Sequence, residues 1–107
     1  MGVGVFVAVA GYGVALYAGP EHPSALFKQY CAKCHGENGK AGTARGQKLH
    51  ARDFTDREFQ EAKSDASLIK TVTEGDEDMP PFGKKLTKEQ IESLVKNDVR
   101  GFAPKKN

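Results

Sequence analysis

The 107-residue sequence has no tryptophan, two cysteines and two methionines, and aromatic residues make up 8% of it. The two cysteines are Cys31 and Cys34, so a zinc site built around them would need two further ligands from other residue types. The low aromatic content is compatible with a small helical fold. The net charge of +2 is nearly balanced, which gives no indication of a nucleic-acid partner.

The length also limits the fold. A chain of 107 residues is one small domain with an appendage, and such a domain buries only a limited apolar core by itself. No segment has the composition of a long strand, and no internal repeat is present. We therefore expect an all-α fold.

The two cysteines belong to the pentapeptide Cys31-Ala32-Lys33-Cys34-His35. This is the C-x-x-C-H pattern that attaches a c-type haem: the two thiols add to the porphyrin vinyl groups and the histidine ligates iron. A redox dithiol is the competing interpretation, but such a motif usually follows a strand and the residues before Cys31 read as a helix. We expect one covalent haem c on Cys31 and Cys34, with His35 as the first iron ligand.

Bacteria attach haem c outside the cytoplasmic membrane, and the amino-terminal segment is consistent with export to that side. Residues 2–19 carry no charge, and as a helix they would span about 27 Å, close to the roughly 30 Å of a hydrocarbon core. No basic residue precedes the apolar run, as a signal peptide would require. We expect a membrane anchor in residues 1–20 and a haem domain in 21–107, on the periplasmic side. A cleaved signal peptide, leaving a soluble periplasmic protein, is the alternative.

Helix signals follow one another along the haem domain. Ser24 is a predicted N-cap for a first helix that runs to about Lys33 and stops at Gly36. Residues 36–53 and 76–86 read as loops. Three further helices are predicted, beginning near Thr55, at Ser64 (ending at Gly75) and at the capping box Thr87-Lys88-Glu89-Gln90, the last with an apolar stripe of Ile91, Leu94, Val95, Val99 and Phe102.

Met79 is the predicted second iron ligand. It lies in the loop Asp78-Met79-Pro80-Pro81-Phe82, where acidic residues and prolines make a poor context for a core methionine. A His/Met pair is a recognised ligand set of haem iron. His50 and His22 are weaker rivals.

These motifs resemble the small class I mono-haem c-type cytochromes. The resemblance runs from about Ser24 to Phe102 and rests on three stretches: Leu26-Phe27-x-x-x-Cys31-x-x-Cys34-His35-Gly36, Met79-Pro80-x-Phe82, and Leu94-Val95-x-x-x-Val99-Arg100-x-Phe102. It implies about four helices around one haem, with the first and last helices crossing. It also implies single-electron transfer between larger redox proteins.

Two positions depart from that family. Pro23 stands where a small residue, typically glycine, is usual, and Asp98 stands where the last helix usually carries an aromatic residue. These positions normally meet at the helix crossing, so we expect this contact to be built differently. Residues 41–49 contain no proline, so no carbonyl partner of His35 is assigned. The candidate partners of the haem propionates are Arg45, Lys48 and Arg52.

The resulting functional hypothesis is a one-electron carrier and not an enzyme, with no small-molecule substrate. Its partners would be electron-donor and electron-acceptor proteins, including membrane redox complexes of respiration or photosynthesis, which dock near the thioethers and the Met79 loop. Acidic residues precede Met79 and lysines follow it, so the sign of the docking face is left open. The alternatives are a haem enzyme or gas sensor with an open sixth position, and a non-haem dithiol protein.

Overall fold

The computed structural model describes residues 21–105, so the predicted anchor in residues 1–20 lies outside the described residues, as do residues 106–107. The described part holds six α-helices and no strand, which confirms the all-α prediction. They are α1 (Ala25–Tyr30), α2 (Ala32–His35), α3 (Ala44–Lys48), α4 (Arg57–Ala62), α5 (Asp65–Glu74) and α6 (Lys88–Ser93). Between residues 21 and 105, every helix is too short or too polar to cross a membrane.

Side-chain caps begin the predicted helices. Ser24, Ser64 and Thr87 each accept a hydrogen bond from a backbone N–H in the first turn, which satisfies one of the donors that a helix start leaves free. The Thr87–Gln90 capping box is complete in both directions. Gly75 ends α5 with a φ of 79°, the left-handed region that favours glycine. The local sequence signals therefore set these boundaries.

Two local features differ from the sequence prediction. The first helix is interrupted at Cys31, whose φ of −117° separates α1 from α2. Its carbonyl accepts from the N–H groups of both Cys34 and His35, at 3.2 and 2.9 Å, so the chain tightens there without leaving the helical path. The second feature is α3, a short helix capped by Thr43 within the predicted glycine-rich loop.

The helix that begins with α6 continues as a π-helical turn, Leu94–Val99, and a 3₁₀ turn, Arg100–Phe102. We refer to Lys88–Phe102 as the C-terminal helix. It packs against α1 and α5, and Phe27 of α1 and Val95 are both fully buried. The buried core is Phe27, Phe54, Phe59, Leu68, Phe82, Leu86, Ile91, Leu94, Val95 and Val99.

The crossing of α1 with the C-terminal helix is polar on one side. Asp98 is only 1% exposed, and its carboxylate accepts from the backbone N–H of Ser24 at 2.7 Å and from the Ser24 hydroxyl at 2.8 Å. The Asp98 carbonyl accepts from His22 Nε2 at 3.1 Å. This crossing is thus built differently from that of the family, as the sequence predicted, with a buried carboxylate in place of an aromatic contact.

Arg100 connects the C-terminal helix to α4, to the start of α5 and to the turn between them. Its guanidinium donates to the Asp65 carboxylate at 2.8 Å, to both the carbonyl and the side chain of Gln60 at 2.9 Å, and to the Lys63 carbonyl. Each arm of the planar guanidinium therefore has an acceptor.

Candidate haem site

The two cysteines lie one helical turn apart and on one side of the chain. Cys31 follows α1 and Cys34 lies in α2; both are half-buried free thiols. Both line a cavity of about 290 Å³ together with His35 and Met79. The pentapeptide therefore presents its two thiols and its histidine to a single cavity.

His35 is held in one orientation. It is 8% exposed, its ring stacks on Phe54 with centroids 4.3 Å apart, and its Nδ1 donates to the Arg52 carbonyl at 3.0 Å. A carbonyl can only accept, so Nδ1 carries the proton and Nε2 keeps its lone pair for a metal. Burial lowers the pKa of His35, although the Arg52 hydrogen bond opposes that effect. The ring is thus suited to bind a metal as neutral imidazole.

The thiol of Cys31 is not activated. Burial, together with the negative charges of Asp98 and Cys34, raises the pKa of Cys31 to about 12. Reactive cysteines in C-x-x-C redox motifs have lowered pKa values, because the thiolate is the nucleophile. The local electrostatics therefore oppose the dithiol oxidoreductase alternative.

The Met79 loop is fixed to the end of α5. Asp76 N–H donates to the Met79 carbonyl at 3.0 Å, and Phe82 N–H donates to the Val72 carbonyl at 2.9 Å. At Gly75 an added Cβ would lie 2.7 Å from the Met79 carbonyl oxygen, so only glycine fits this close approach. The half-buried Met79 side chain is thereby held at the cavity wall.

Two more cavities, of about 140 and 90 Å³, adjoin the first, and His35 and Met79 line all three. The smallest reaches the core residues Phe54, Phe59, Leu68 and Val99 and the partly buried Val72. We call the three together the cleft. Its apolar floor, its imidazole, its thioether sulfur and its two thiols fit the chemistry of a covalently attached haem with two axial ligands.

The two rival histidines, His22 and His50, differ from His35 in position and burial. The ring of His22 is bonded to the C-terminal helix and packs on Phe102, with centroids 4.4 Å apart. His50 is at the mouth of the cleft with its side chain 85% exposed, and its Nδ1 lies 3.9 Å from an Asp78 carboxylate oxygen. Within residues 21–105 no three His, Cys, Asp or Glu side chains form a group that could hold a metal ion.

The three propionate candidates are distributed unevenly. Arg52 lines the two cavities of about 140 and 90 Å³, with its guanidinium 5.4 Å from the centroid of Phe59. Arg45 lines the cavity beside the thiols. Lys48 is exposed and is not among the residues that line the cleft. Arg52 is thus the candidate nearest the cleft floor.

Comparison with known proteins agrees with the resemblance to c-type cytochromes. Residues 18–96 match the family described as cytochrome c oxidase, cbb3-type, subunit III. The chain is 34% identical over 71 residues to the cbb3-type cytochrome c oxidase subunit FixP of Azorhizobium caulinodans, covering 65% of this chain and 23% of that protein. It is 31% identical over 79 residues to the cbb3-type cytochrome c oxidase subunit CcoP of Azospirillum brasilense, covering 73% and 27%. The chain therefore spans about a quarter of the length of these relatives.

Solved structures give the same result for the fold. The KustC0563 c-type cytochrome superimposes with a TM-score of 0.70 at 42% identity, covering 74% of this chain and 94% of that one. A single-substitution mutant of that cytochrome gives a TM-score of 0.67 at 45% identity, covering 72% and 93%.

Proposed function

This chain belongs to the family of cytochrome c oxidase, cbb3-type, subunit III, and on that premise we propose that it carries single electrons through a haem ligated by His35 and Met79. Membership of the c-type cytochromes implies a covalently bound haem c with iron. The thioether bonds would be made by Cys31 and Cys34. The observation that carries the proposal is that His35 and Met79 line the same cleft, beside two free thiols.

The haem, when bound, supplies the iron that is oxidised and reduced. Residues of this chain hold the two proposed iron ligands in position. The Arg52 carbonyl and the Phe54 ring orient His35, and the hydrogen bonds of Asp76 and Phe82 hold the Met79 loop. If His35 and Met79 both hold the iron, no ligand position would be left for a substrate. We therefore propose an electron carrier that is not itself an enzyme.

The ligand assignment is tested by substituting Met79. The ferric protein should show the weak far-red absorption band that is typical of methionine–iron ligation, and Met79→Ala should abolish it, lower the reduction potential and open the iron to added cyanide. His50→Ala is the matched control and should leave the band and the potential unchanged. A Met79→Ala spectrum identical to that of the parent would refute the assignment and favour an open-site haem enzyme or gas sensor.

The relatives supply the proposed setting. FixP and CcoP are named as subunits of cbb3-type oxidases, so we propose that this domain passes electrons to or from a membrane oxidase complex. Because bacteria attach haem c outside the cytoplasmic membrane, we propose that the domain lies on the periplasmic side. The uncharged residues 2–19 would anchor it there, with the haem domain in residues 21–107.

The anchor is tested by intact mass and fractionation of the native protein. A retained anchor predicts haem in the membrane fraction and a mass that includes residues 1–20. Haem-containing protein that is found in the soluble periplasmic fraction and starts near residue 20 would show a cleaved signal peptide instead. Neither result bears on the Met79 assignment, so the two proposals fail separately.

A further inference from the structure

A row of aromatic rings leads from the proposed iron ligand His35 to the surface of the domain. His35 stacks on Phe54 with ring centroids 4.3 Å apart and planes inclined by 17°. Phe54 in turn stacks on Phe102, at 6.2 Å and 25°, and the ring of His22 packs on Phe102 at 4.4 Å. These separations are those of aromatic rings in contact. We call His35, Phe54, Phe102 and His22 the ring chain.

The ring chain begins in the core and ends at an exposed residue. His35 and Phe54 are 8% and 6% exposed, whereas Phe102 is half-buried and His22 is exposed. The fully buried ring of Phe27 packs beside the widest step, with its centroid 6.3 Å from that of Phe54 and 5.2 Å from that of Phe102. Neither His22 nor Phe102 is among the residues that line the cleft. The exposed end of the ring chain is therefore separate from the cleft.

Backbone groups hold the rings in this order. Phe54 N–H donates to the Gly39 carbonyl at 2.7 Å, and a Cβ added at Gly39 would lie 2.6 Å from Phe102 Cγ. One glycine thus positions both phenylalanines. A Cβ added at Gly101 would lie 2.5 Å from His22 Nε2, so the His22 ring also rests directly on backbone. A side chain at either glycine would displace a ring of the chain.

We propose that the ring chain is an electron route between the haem iron and the surface at His22, which gives the domain a second site of one-electron exchange besides the cleft. This proposal rests on the electron-carrier function proposed above. Electron tunnelling weakens steeply with each gap between atoms that are not bonded, and rings in contact keep those gaps short. One electron passes between the iron and the redox centre of a partner protein. The rings supply electronic coupling and are themselves neither oxidised nor reduced.

The position of His22 determines what such a route can serve. His22 is bonded to the Asp98 carbonyl at the crossing of α1 with the C-terminal helix. A redox protein bound at this crossing would leave the openings of the cleft free. The domain could therefore hold an electron donor at one site and an electron acceptor at the other at the same time.

The first test measures electron transfer within the haem-containing protein from a ruthenium(II) polypyridyl label. The label is attached to the added thiol of Glu21→Cys, an exposed position next to the end of the ring chain. After a light flash, the excited ruthenium(II) gives one electron to the ferric haem, which yields ruthenium(III) and ferrous haem. Phe102→Leu removes one ring of the chain and should slow this transfer several-fold.

Two controls separate the ring chain from general effects of substitution. Ile91→Ala removes as many side-chain carbon atoms from the C-terminal helix as Phe102→Leu does, at a buried residue that does not line the cleft, and it should leave the rate unchanged. The same label on Lys84→Cys, an exposed position beside the cleft residue Lys85, should give a rate that Phe102→Leu does not change. No slowing by Phe102→Leu, or equal slowing by Ile91→Ala, would overturn the proposal.

The second test uses the exposed end of the chain, where a substitution disturbs folding least. His22→Gln removes the ring but keeps a side-chain N–H that can donate to the Asp98 carbonyl, and it should slow the transfer from the label at position 21. In the ferrous protein, nuclear Overhauser contacts should join the ring of Phe102 to those of His22 and Phe54. Absence of these contacts, or an unchanged rate in His22→Gln, would contradict the proposed route.

The ring chain and the carrier function are distinguished by the far-red band, which is recorded for every variant. This band reports Met79 ligation and does not depend on the ring chain. Its absence from the parent protein would refute the proposed ligand pair, while the transfer rates would still test the route through His35. An intact band together with equal rates in the parent and Phe102→Leu would refute the route alone.

Discussion

The polar helix crossing predicts a large and specific loss of stability on removal of the Asp98 carboxylate. This carboxylate is 1% exposed and accepts two hydrogen bonds from Ser24, at 2.7 and 2.8 Å. The Ser24 hydroxyl also caps α1 by accepting from Phe27 N–H at 3.1 Å. One carboxylate thus fixes Ser24, the residue that caps the start of α1.

The magnitude follows from these contacts. A hydrogen bond to a charged group contributes about 1.5–3 kcal/mol, and a buried donor left without a partner costs about 1–3 kcal/mol. Asp98→Ala removes both acceptors and leaves a small cavity, but Ser24 is only partly buried, so water would replace part of the lost hydrogen bonding. We expect a loss of about 3 kcal/mol in the free energy of unfolding. Asp98→Asn keeps one acceptor for Ser24 N–H and should lower the free energy of unfolding by about 1 kcal/mol.

The assay is urea unfolding of the haem-containing protein, followed by circular dichroism and by haem absorption. Ser24→Ala completes a double-mutant cycle with Asp98→Ala, and contacting residues in one network should show a coupling of about 1–2 kcal/mol. A loss below about 1 kcal/mol for Asp98→Ala, well under the expected hydrogen-bond contribution, would refute the reasoning. So would additive effects of the two substitutions.

Two further substitutions probe contacts that position the cleft. Arg100→Ala should lower the free energy of unfolding by about 2 kcal/mol, because it removes the donor to Asp65, Gln60 and Lys63 at a partly exposed site. Arg100→Lys should recover only part of this loss, since lysine lacks the planar guanidinium. Thermal unfolding of both variants tests this prediction. Gly46→Ala should destabilise the fold by about 1–3 kcal/mol and disturb the haem spectrum, because the new Cβ would run into the Cys34 carbonyl and lie 2.9 Å from the Ala41 carbonyl oxygen; an unperturbed spectrum with unchanged stability would contradict this.

The sequence predicted correctly those structural features that depend only on residues close together along the chain. The caps Ser24, Ser64 and Thr87 act within one helical turn, so their residue types alone mark where helices begin. The C-x-x-C-H motif is local in the same sense, and it brings both thiols to one cavity. Such features need no knowledge of the tertiary fold.

Contacts made by backbone atoms could not be predicted in this way. The partner of His35 is the carbonyl of Arg52, and a carbonyl has no residue-specific signal. The sequence pointed to Arg52 only for its side chain, as a propionate partner. The helix α3 was missed because the glycines of residues 36–53 read as loop, although Gly46 is required there by the close approach to Cys34. Tertiary packing decided both features.

The departure from the family pattern at Asp98 is explained by the hydrogen bonds that this carboxylate accepts. A buried carboxylate is costly unless donors satisfy it, and Asp98 finds two donors on one residue, the N–H and hydroxyl of Ser24. Pro23 has no N–H to donate, and both donors to this carboxylate come from the residue that follows it, Ser24. An aromatic residue at position 98 would leave these donors without that acceptor. The carboxylate of Asp98 is therefore tolerated at the crossing because both of its oxygens accept hydrogen bonds from Ser24.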